Sequence, residues 1–276
     1  MRNLKHLLAA TAASIVSTAA LAADLPIAPP PAYAPPPPVD FGGWYLRGDI
    51  GFSNQRVGSL KSTDAALYAP LTSFSQTTQF DSAGIYDIGF GYQFNSWFRM
   101  DVTGQYRGSA NFKGTDLIAF PIGGGAIGNG VDSYTASKSE WLFLANAYVD
   151  LGTWWCITPF VGAGVGTSRV TINNFTDFNV PTGGVDVAGS GSKWNFAWAA
   201  YAGLAYQVSP NLTVELAYSY VDLGSGVTAN SHAFNASPSP YVFQFNNITS
   251  QDVKIGLRWA INPTPVYVPP PLVTKG

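Results

Sequence analysis

Eleven charged residues recur at alternate positions in apolar, aromatic surroundings: Arg47, Asp49, Asp87, Arg99, Asp101, Arg107, Glu140, Asp150, Glu215, Lys254 and Arg258. Each falls on the polar parity of a segment whose other parity is apolar. Alternate residues share one face of a strand, so these charges share one side of a sheet. If that side is enclosed they must pair, because an unpaired buried charge costs several kcal/mol. The chemistry of this set is mutual neutralisation inside a lumen. An ion-selective pore is the other use of such a face, and it needs a wider barrel than eight strands give.

The remaining reactive residues are few. Ser231 and His232 adjoin in NSHAFNASPSP, and Glu215 precedes them, so the residue types of an outer-membrane lipid A deacylase are present. A catalytic triad requires mutual hydrogen-bonding geometry, and we read the Ser-His pair as a solvated loop; no enzyme activity is expected. With His6 in the leader, one histidine remains beside the single Cys156, too few for a zinc site. Cys156 lies among bulky apolar neighbours in TWWCIT, which predicts a sequestered thiol. Haem iron accepts His or Tyr, and His232, Tyr241, Tyr68 and Tyr134 are loop candidates that no motif singles out. Gly162, Gly164 and Gly166 lack the spacing and the lysine of a phosphate loop. At period two they make room for large lumen neighbours. No resident cofactor or metal is expected.

The elements that position these residues follow from composition and alternation. The chain has 276 residues, 46% hydrophobic, 14% aromatic, 29 Gly and 11% charged, against about 25% charged in soluble domains. Beyond its first two dozen residues it has no apolar run of the ~20 residues that a membrane helix needs. Apolar, Gly-rich and charge-poor composition without a spanning helix describes a transmembrane β-barrel. The net charge of −2 indicates no nucleic-acid partner.

Arg2 and Lys5, the apolar stretch Leu7 to Val16 and Ala20-Leu21-Ala22 read as a secretory signal over residues 1–22, cut between Ala22 and Ala23. Proline-rich segments at 23–42 and 261–276 bracket a barrel predicted over 43–260.

Within it, alternation marks eight antiparallel strands, in WYLRGDIGF, FDSAGIYDIGFGYQF, WFRMDVTGQYR, EWLFLANAYVDL, TPFVGAGVG, WNFAWAAYAGLAYQV, LTVELAYSYV and DVKIGLRWA. Tight turns fall near Asn95, Trp154 and Pro210. Long loops are predicted at Ser53–Gln79, Gly108–Ser139, Ser168–Lys193 and Gly224–Ser250. Short periplasmic turns and long outer loops are the pattern of outer-membrane barrels. YVFQF, Tyr241 to Phe245, still alternates and allows a ten-strand count. Up-down strands sort Trp44, Phe94, Phe98, Tyr206 and Trp259 to the periplasmic edge and Phe52, Phe80, Tyr106, Trp141 and Trp194 to the outer edge, as two bilayer interfaces require.

ADLP after the Ala-Leu-Ala signal end, GGWYLRGDIGFS, TPFVGAGVG, LAYSYVDLG and VKIGLRW together resemble the small outer-membrane β-barrel proteins of alphaproteobacteria, among them brucella and rhizobium surface antigens and bartonella haemin-binding proteins. The resemblance covers Gly43 to Trp259 and specifies a fold more than an activity. The chain departs from the pattern by continuing past Trp259, where such barrels end on an aromatic residue read by the assembly machinery.

The resemblance implies residence in the Gram-negative cell outer membrane with periplasmic termini. Partners would be outer-membrane lipids, lipopolysaccharide and the barrel-assembly machinery. In similar barrels a mature start of Ala-Asp is joined to peptidoglycan, so Ala23 is an expected attachment point. The expected function is a plugged, structural barrel that stabilises the envelope and presents surface loops. The alternatives are a haemin-binding or adhesin-like surface protein and a small-solute porin.

Overall fold

In the segment from Gly43 to Ser53, apolar Trp44, Leu46, Ile50 and Phe52 face outward, and Tyr45, Arg47, Asp49 and Ser53 are buried. Such a strand has two incompatible faces and is stable only between lipid and a polar interior. A bilayer core offers no hydrogen-bond partner to backbone groups, so the sheet must close on itself. In the computed structural model, which describes residues 42–234 and 241–261, it does. The signal peptide, the cleavage pair Ala22 and Ala23 and the proline-rich segments apart from Gly42 and Ile261 lie outside the described residues.

The strands are β1 (Gly43–Ser62), β2 (Ser73–Phe80), β3 (Ala83–Gln93), β4 (Phe98–Gly123), β5 (Ala126–Asp150), β6 (Ile157–Asn179), β7 (Gly184–Ala188), β8 (Gly191–Gln207), β9 (Leu212–Val227), β10 (Ser231–Ala233) and β11 (Phe243–Ala260). Eight of them form an antiparallel ring in the order β1-β3-β4-β5-β6-β8-β9-β11, closed by β11 on β1. Tyr241 to Phe245 does not add a pair of strands; Phe243–Ala260 is one continuous element.

Much of what the sequence assigns to long loops is sheet. β4 and β5 have 26 and 25 residues, and at ~3.4 Å per residue β4 measures roughly 90 Å, about two and a half times the length of the ~10 residues that a spanning strand requires. The outward face of β1 shows where the membrane ends: its apolar residues stop at Phe52, and Asn54 and Arg56 follow. On β4 the outward positions above Tyr106 are Asn111, Lys113 and Thr115. The strands therefore continue beyond the lipid as a crown. In the crown, β2 replaces β3 beside β4, and β7 replaces β8 beside β6.

Between the two storeys, four strands invert their alternation at one level. Pairs of buried residues spaced by three rather than two mark the inversions: Val57 and Leu60 on β1, Arg107 and Ala110 on β4, Ile172 and Phe175 on β6, Phe245 and Ile248 on β11. Asn174 and Asn247, at φ 52° and 53°, occupy the extra positions on β6 and β11, a left-handed conformation that Asn tolerates better than most residues. Register shifts accompany them at Arg107/Ala110 and Phe245/Ile248. A bulge turns the succeeding side chains to the opposite face, so aromatic residues that would face solvent point inward.

The aromatic edges form two arcs. Trp44, Tyr92, Phe94 and Phe98 are linked by ring contacts of 5.0–5.5 Å at the tight-turn end. Tyr106, Trp141, Phe143 and Trp194 form the upper arc at 5.0–6.4 Å. Phe80 does not belong to the upper arc, contrary to its parity. It is buried on β2, 5.1 Å from Phe112 and 6.2 Å from Phe245, because β2 stands outside the membrane ring.

Cys156 also departs from expectation: it is exposed. Trp154 and Ile157 pair across a two-residue tip, Trp155 and Cys156, with φ of 50° and 66°. Two positive φ values make the twist that joins adjacent strands most tightly, and they throw both tip side chains outward.

Candidate functional site

The eleven charged positions are brought together in one lumen, joined by Lys138 and Asp252. Glu215 on β9 takes ion contacts from three arginines: Arg258 Nε at 2.9 Å, Arg99 Nη2 at 3.3 Å and Arg47 Nη2 at 3.6 Å. Arg47 Nη1 also donates to Asp101 Oδ2 at 2.9 Å and to Tyr148 Oη at 3.0 Å, and its Nη2 donates to Asp49 Oδ2 at 2.8 Å. Arg99, fully buried, pairs with Asp150 at 3.3 Å and lies 4.3 Å from the Tyr148 ring centre and 4.8 Å from that of Phe160. Higher up, Arg107 donates to both oxygens of Asp252, at 3.1 and 2.5 Å. Lys138 contacts Glu140 and Gln55, and its ammonium lies 4.6 Å from the Phe80 ring centre.

Neutralisation extends to like charges placed opposite each other by register. Asp49 faces Asp87 directly across β1 and β3, and Lys254 reaches both, at 4.0 and 3.1 Å. Arg47 faces Arg258 across β1 and β11, with Glu215 serving both. Like charges directly opposite are destabilising unless countered, and here each such pair has a counter-ion. The space among Asp87, Arg107, Tyr201 and Lys254 is too small for a water molecule.

Gly164 explains itself in the same terms. A Cβ built there would lie 2.0 Å from Asn146 Oδ1, and that oxygen accepts a hydrogen bond from Tyr201 at 2.9 Å. The glycine makes room for the network and cradles no ligand.

Sequence alternation overlooked the second closure. Above the ions, Phe80, Phe112, Phe175, Phe243 and Phe245 are buried against one another, with centroids 4.5–6.2 Å apart. Lys138 went unrecognised for the same reason: it lies in a stretch assigned to loop.

Above the aromatic layer a pocket of 540 Å³ opens on the crown. Tyr68, Tyr134 and Tyr241, three of the haem candidates, line it; His232 is exposed on β10 and is not among its walls. Tyr134 donates to Asp116 at 3.1 Å and Tyr68 Oη accepts from the Ser62 amide at 2.7 Å, so both phenols are engaged. Ser231 and His232 sit in the crown, and Glu215 lies three residues from the tight turn at Val208–Asn211 among its arginines; the triad types are not assembled.

A closed antiparallel ring with a lipid-facing belt and a charged interior is the geometry of one class of membrane protein. Residues 8–260 match the family described as outer membrane protein beta-barrel domain. This chain belongs to that family. The barrel resides in the outer membrane of a Gram-negative cell.

Its relatives include an uncharacterized protein of Brucella suis, 29% identical over 268 residues, with 88% of this chain and 93% of that one covered. Outer membrane protein PagN of Salmonella typhimurium is 28% identical over 227 residues, covering 79% and 90%. A provisionally named adhesin of Rickettsia felis is 28% identical over 231 residues, covering 81% and 90%. Among solved structures, the outer membrane protein OprG from Pseudomonas aeruginosa aligns at 13% identity and TM-score 0.48, covering 81% of this chain and 98% of that one.

Proposed function

We propose that this barrel is a closed post that carries a β-structured crown for contacts at the cell surface and supports the envelope mechanically. The observation that carries the reading is the double closure of the interior, by the ion network around Glu215 and by the aromatic layer around Phe245. A filled lumen suits load-bearing and display better than transport. Strands that continue well past the lipid give a stiff platform where mobile loops would be costly to order on binding. The adhesin name among the relatives agrees with a surface role. Planar-bilayer recording of the refolded chain checks it: no steps, or only rare small ones, are expected. Reproducible large steps, of the size that sixteen-stranded porins give, would overturn the closed post in favour of the small-solute porin.

A peptidoglycan connection is a second reading, favoured by one feature. Gly43 and Ala260 end at the tight-turn edge, where Trp44 O accepts from the Ile261 amide at 2.9 Å. In outer-membrane barrels that edge faces the periplasm, which would put both proline-rich segments beside the cell wall. Covalent attachment through the Ala23 amine is the expected form. Mass spectrometry of peptides released from detergent-boiled sacculi should find N-terminal peptides carrying wall fragments. Free Ala23 amines throughout, with nothing retained on the sacculus, would remove the tether.

A further inference from the structure

Four aspartates in the crown break the rule that the lumen obeys. Asp116 on β4 stands directly opposite Asp132 on β5, and Asp177 on β6 directly opposite Asp186 on β7. The like-charged pairs of the lumen each have a counter-ion within 4.0 Å. Among the described residues these two have none: no lysine or arginine lines the pocket they share. Register alone would have allowed a cation at any of four positions, so the arrangement sacrifices stability.

The carboxylates are also incompletely satisfied. Asp116 accepts from Gln76 Nε2 at 2.8 Å and from Tyr134, and Asp132 accepts from Asn179 Nδ2 at 2.7 Å. Asp177 Oδ1 is shielded from solvent and accepts nothing among the described residues. The rest of the lining includes aromatic rings: Tyr68 and Phe74 meet edge-to-face at 5.7 Å, and Phe243 lies 6.0 Å from Tyr134. Ring faces attract cations, and a pocket of 540 Å³ is in the range that encloses a small organic ligand.

The cation is not a bare metal ion. Among the described residues no three His, Cys, Asp or Glu converge as a metal site would. The four carboxylates instead form two facing pairs, Asp116 with Asp132 and Asp177 with Asp186, each across neighbouring strands ~4.8 Å apart, and the pairs are set diagonally across β5 and β6, where Asp132 faces Asn179 and Tyr134 faces Asp177. Ammonium groups separated by a few methylenes match that spacing, and the methylenes suit the rings.

We propose that the crown pocket binds an aliphatic polyamine, its ammonium groups on Asp116, Asp132, Asp177 and Asp186 and its methylenes against the aromatic wall. Protonation should compete with the ligand. Burial, aided by the neighbouring aspartates, raises the Asp177 pKa to about 7, and burial raises Asp116 to about 6 against the hydrogen bonds from Gln76 and Tyr134. Asp132 is raised by burial too, and Tyr134 is pushed up and stays neutral. Tyr68 and Tyr241 are the other titratable groups facing the site. Affinity is therefore greatest near pH 8 and falls as the pH drops through 7 and 6.

Spermidine titrated calorimetrically into the refolded full-length chain tests this. Saturable binding at pH 8 is expected, weaker at pH 5, and reduced about tenfold by Asp177→Asn, the loss of one charge-assisted contact. Phe74→Ala, which removes a ring and no charge, should weaken binding as well, and the heat-modifiable gel band reports that each variant is folded. Absence of a saturable heat, equal affinity at pH 5 and 8, or complete displacement by magnesium at equal ionic strength would overturn the proposal. So would binding of an arginine-rich peptide alone.

Discussion

Replacing Glu215 by alanine is expected to destabilise the barrel by about 3–5 kcal/mol, the cost of breaking a buried charge pair by removing one partner. Glu215 is 2% exposed and is the common partner of Arg47, Arg99 and Arg258. Its loss leaves three guanidinium groups with the carboxylates of Asp49, Asp101 and Asp150, none of which reaches Arg258 within ion-pair distance among the described contacts. Arg258 would retain its bond to Gln93 Oε1 at 2.9 Å and the Tyr45 ring face at 5.4 Å, neither of which carries a negative charge. The measurement is the temperature at which the folded, heat-modifiable band disappears from a gel, supported by urea unfolding in micelles. Adding Arg99→Ala should restore part of the loss, since partners in one network are non-additive. An unchanged transition in Glu215→Ala would mean that the lumen is wet and that the charges are solvated. The plugged post would then be the wrong reading.

Phe245→Ala should cost a similar amount for a different reason, about 3–5 kcal/mol for truncating a large buried aromatic residue. Phe245 is fully buried, and its ring lies 4.8 Å from Phe112 and 6.2 Å from both Phe80 and Phe175. These rings come from β2, β4, β6 and β11, so the truncation loosens four elements of the crown at once. The lower storey does not depend on it. Limited trypsin digestion should therefore cut the variant above the membrane, at Lys61 or Lys113, while the lipid-embedded ring stays protected. Uniform resistance would show that the crown is held by its backbone ladders alone. Phe245→Leu keeps most of the volume and should lose much less.

The two variants separate the two closures, and their different legibility has a physical cause. The alternation of Arg47 and Asp49 against Leu46 and Ile50 was readable because a membrane strand has one lipid face and one polar face, with a strict period of two. The same contrast exposed the ring strands, the tight turns and both aromatic edges. The hydrophobic belt is thus written residue by residue, and with it the barrel class.

Beyond the lipid that contrast disappears, because water accepts Asn111 and Lys113 on the outside without requiring apolar neighbours. The crown strands consequently read as polar loops, and Lys138 and Asp116 fall inside one of them. Phe112, Phe175 and Phe245 acquire an inward direction only through the inversions beside Ala110, at Asn174 and at Asn247. A bulge shifts parity by one residue, and nothing in the local pattern marks where that shift occurs. Pairing between distant segments decides it: β2 takes the place of β3 beside β4, and Asp116 comes to face Asp132 across a long hairpin. The sequence by itself determined a closed barrel with paired charges inside its membrane ring. Tertiary structure decided the second closure and the acidic, aromatic pocket above it, because both depend on which strands meet once the bilayer no longer dictates what faces outward.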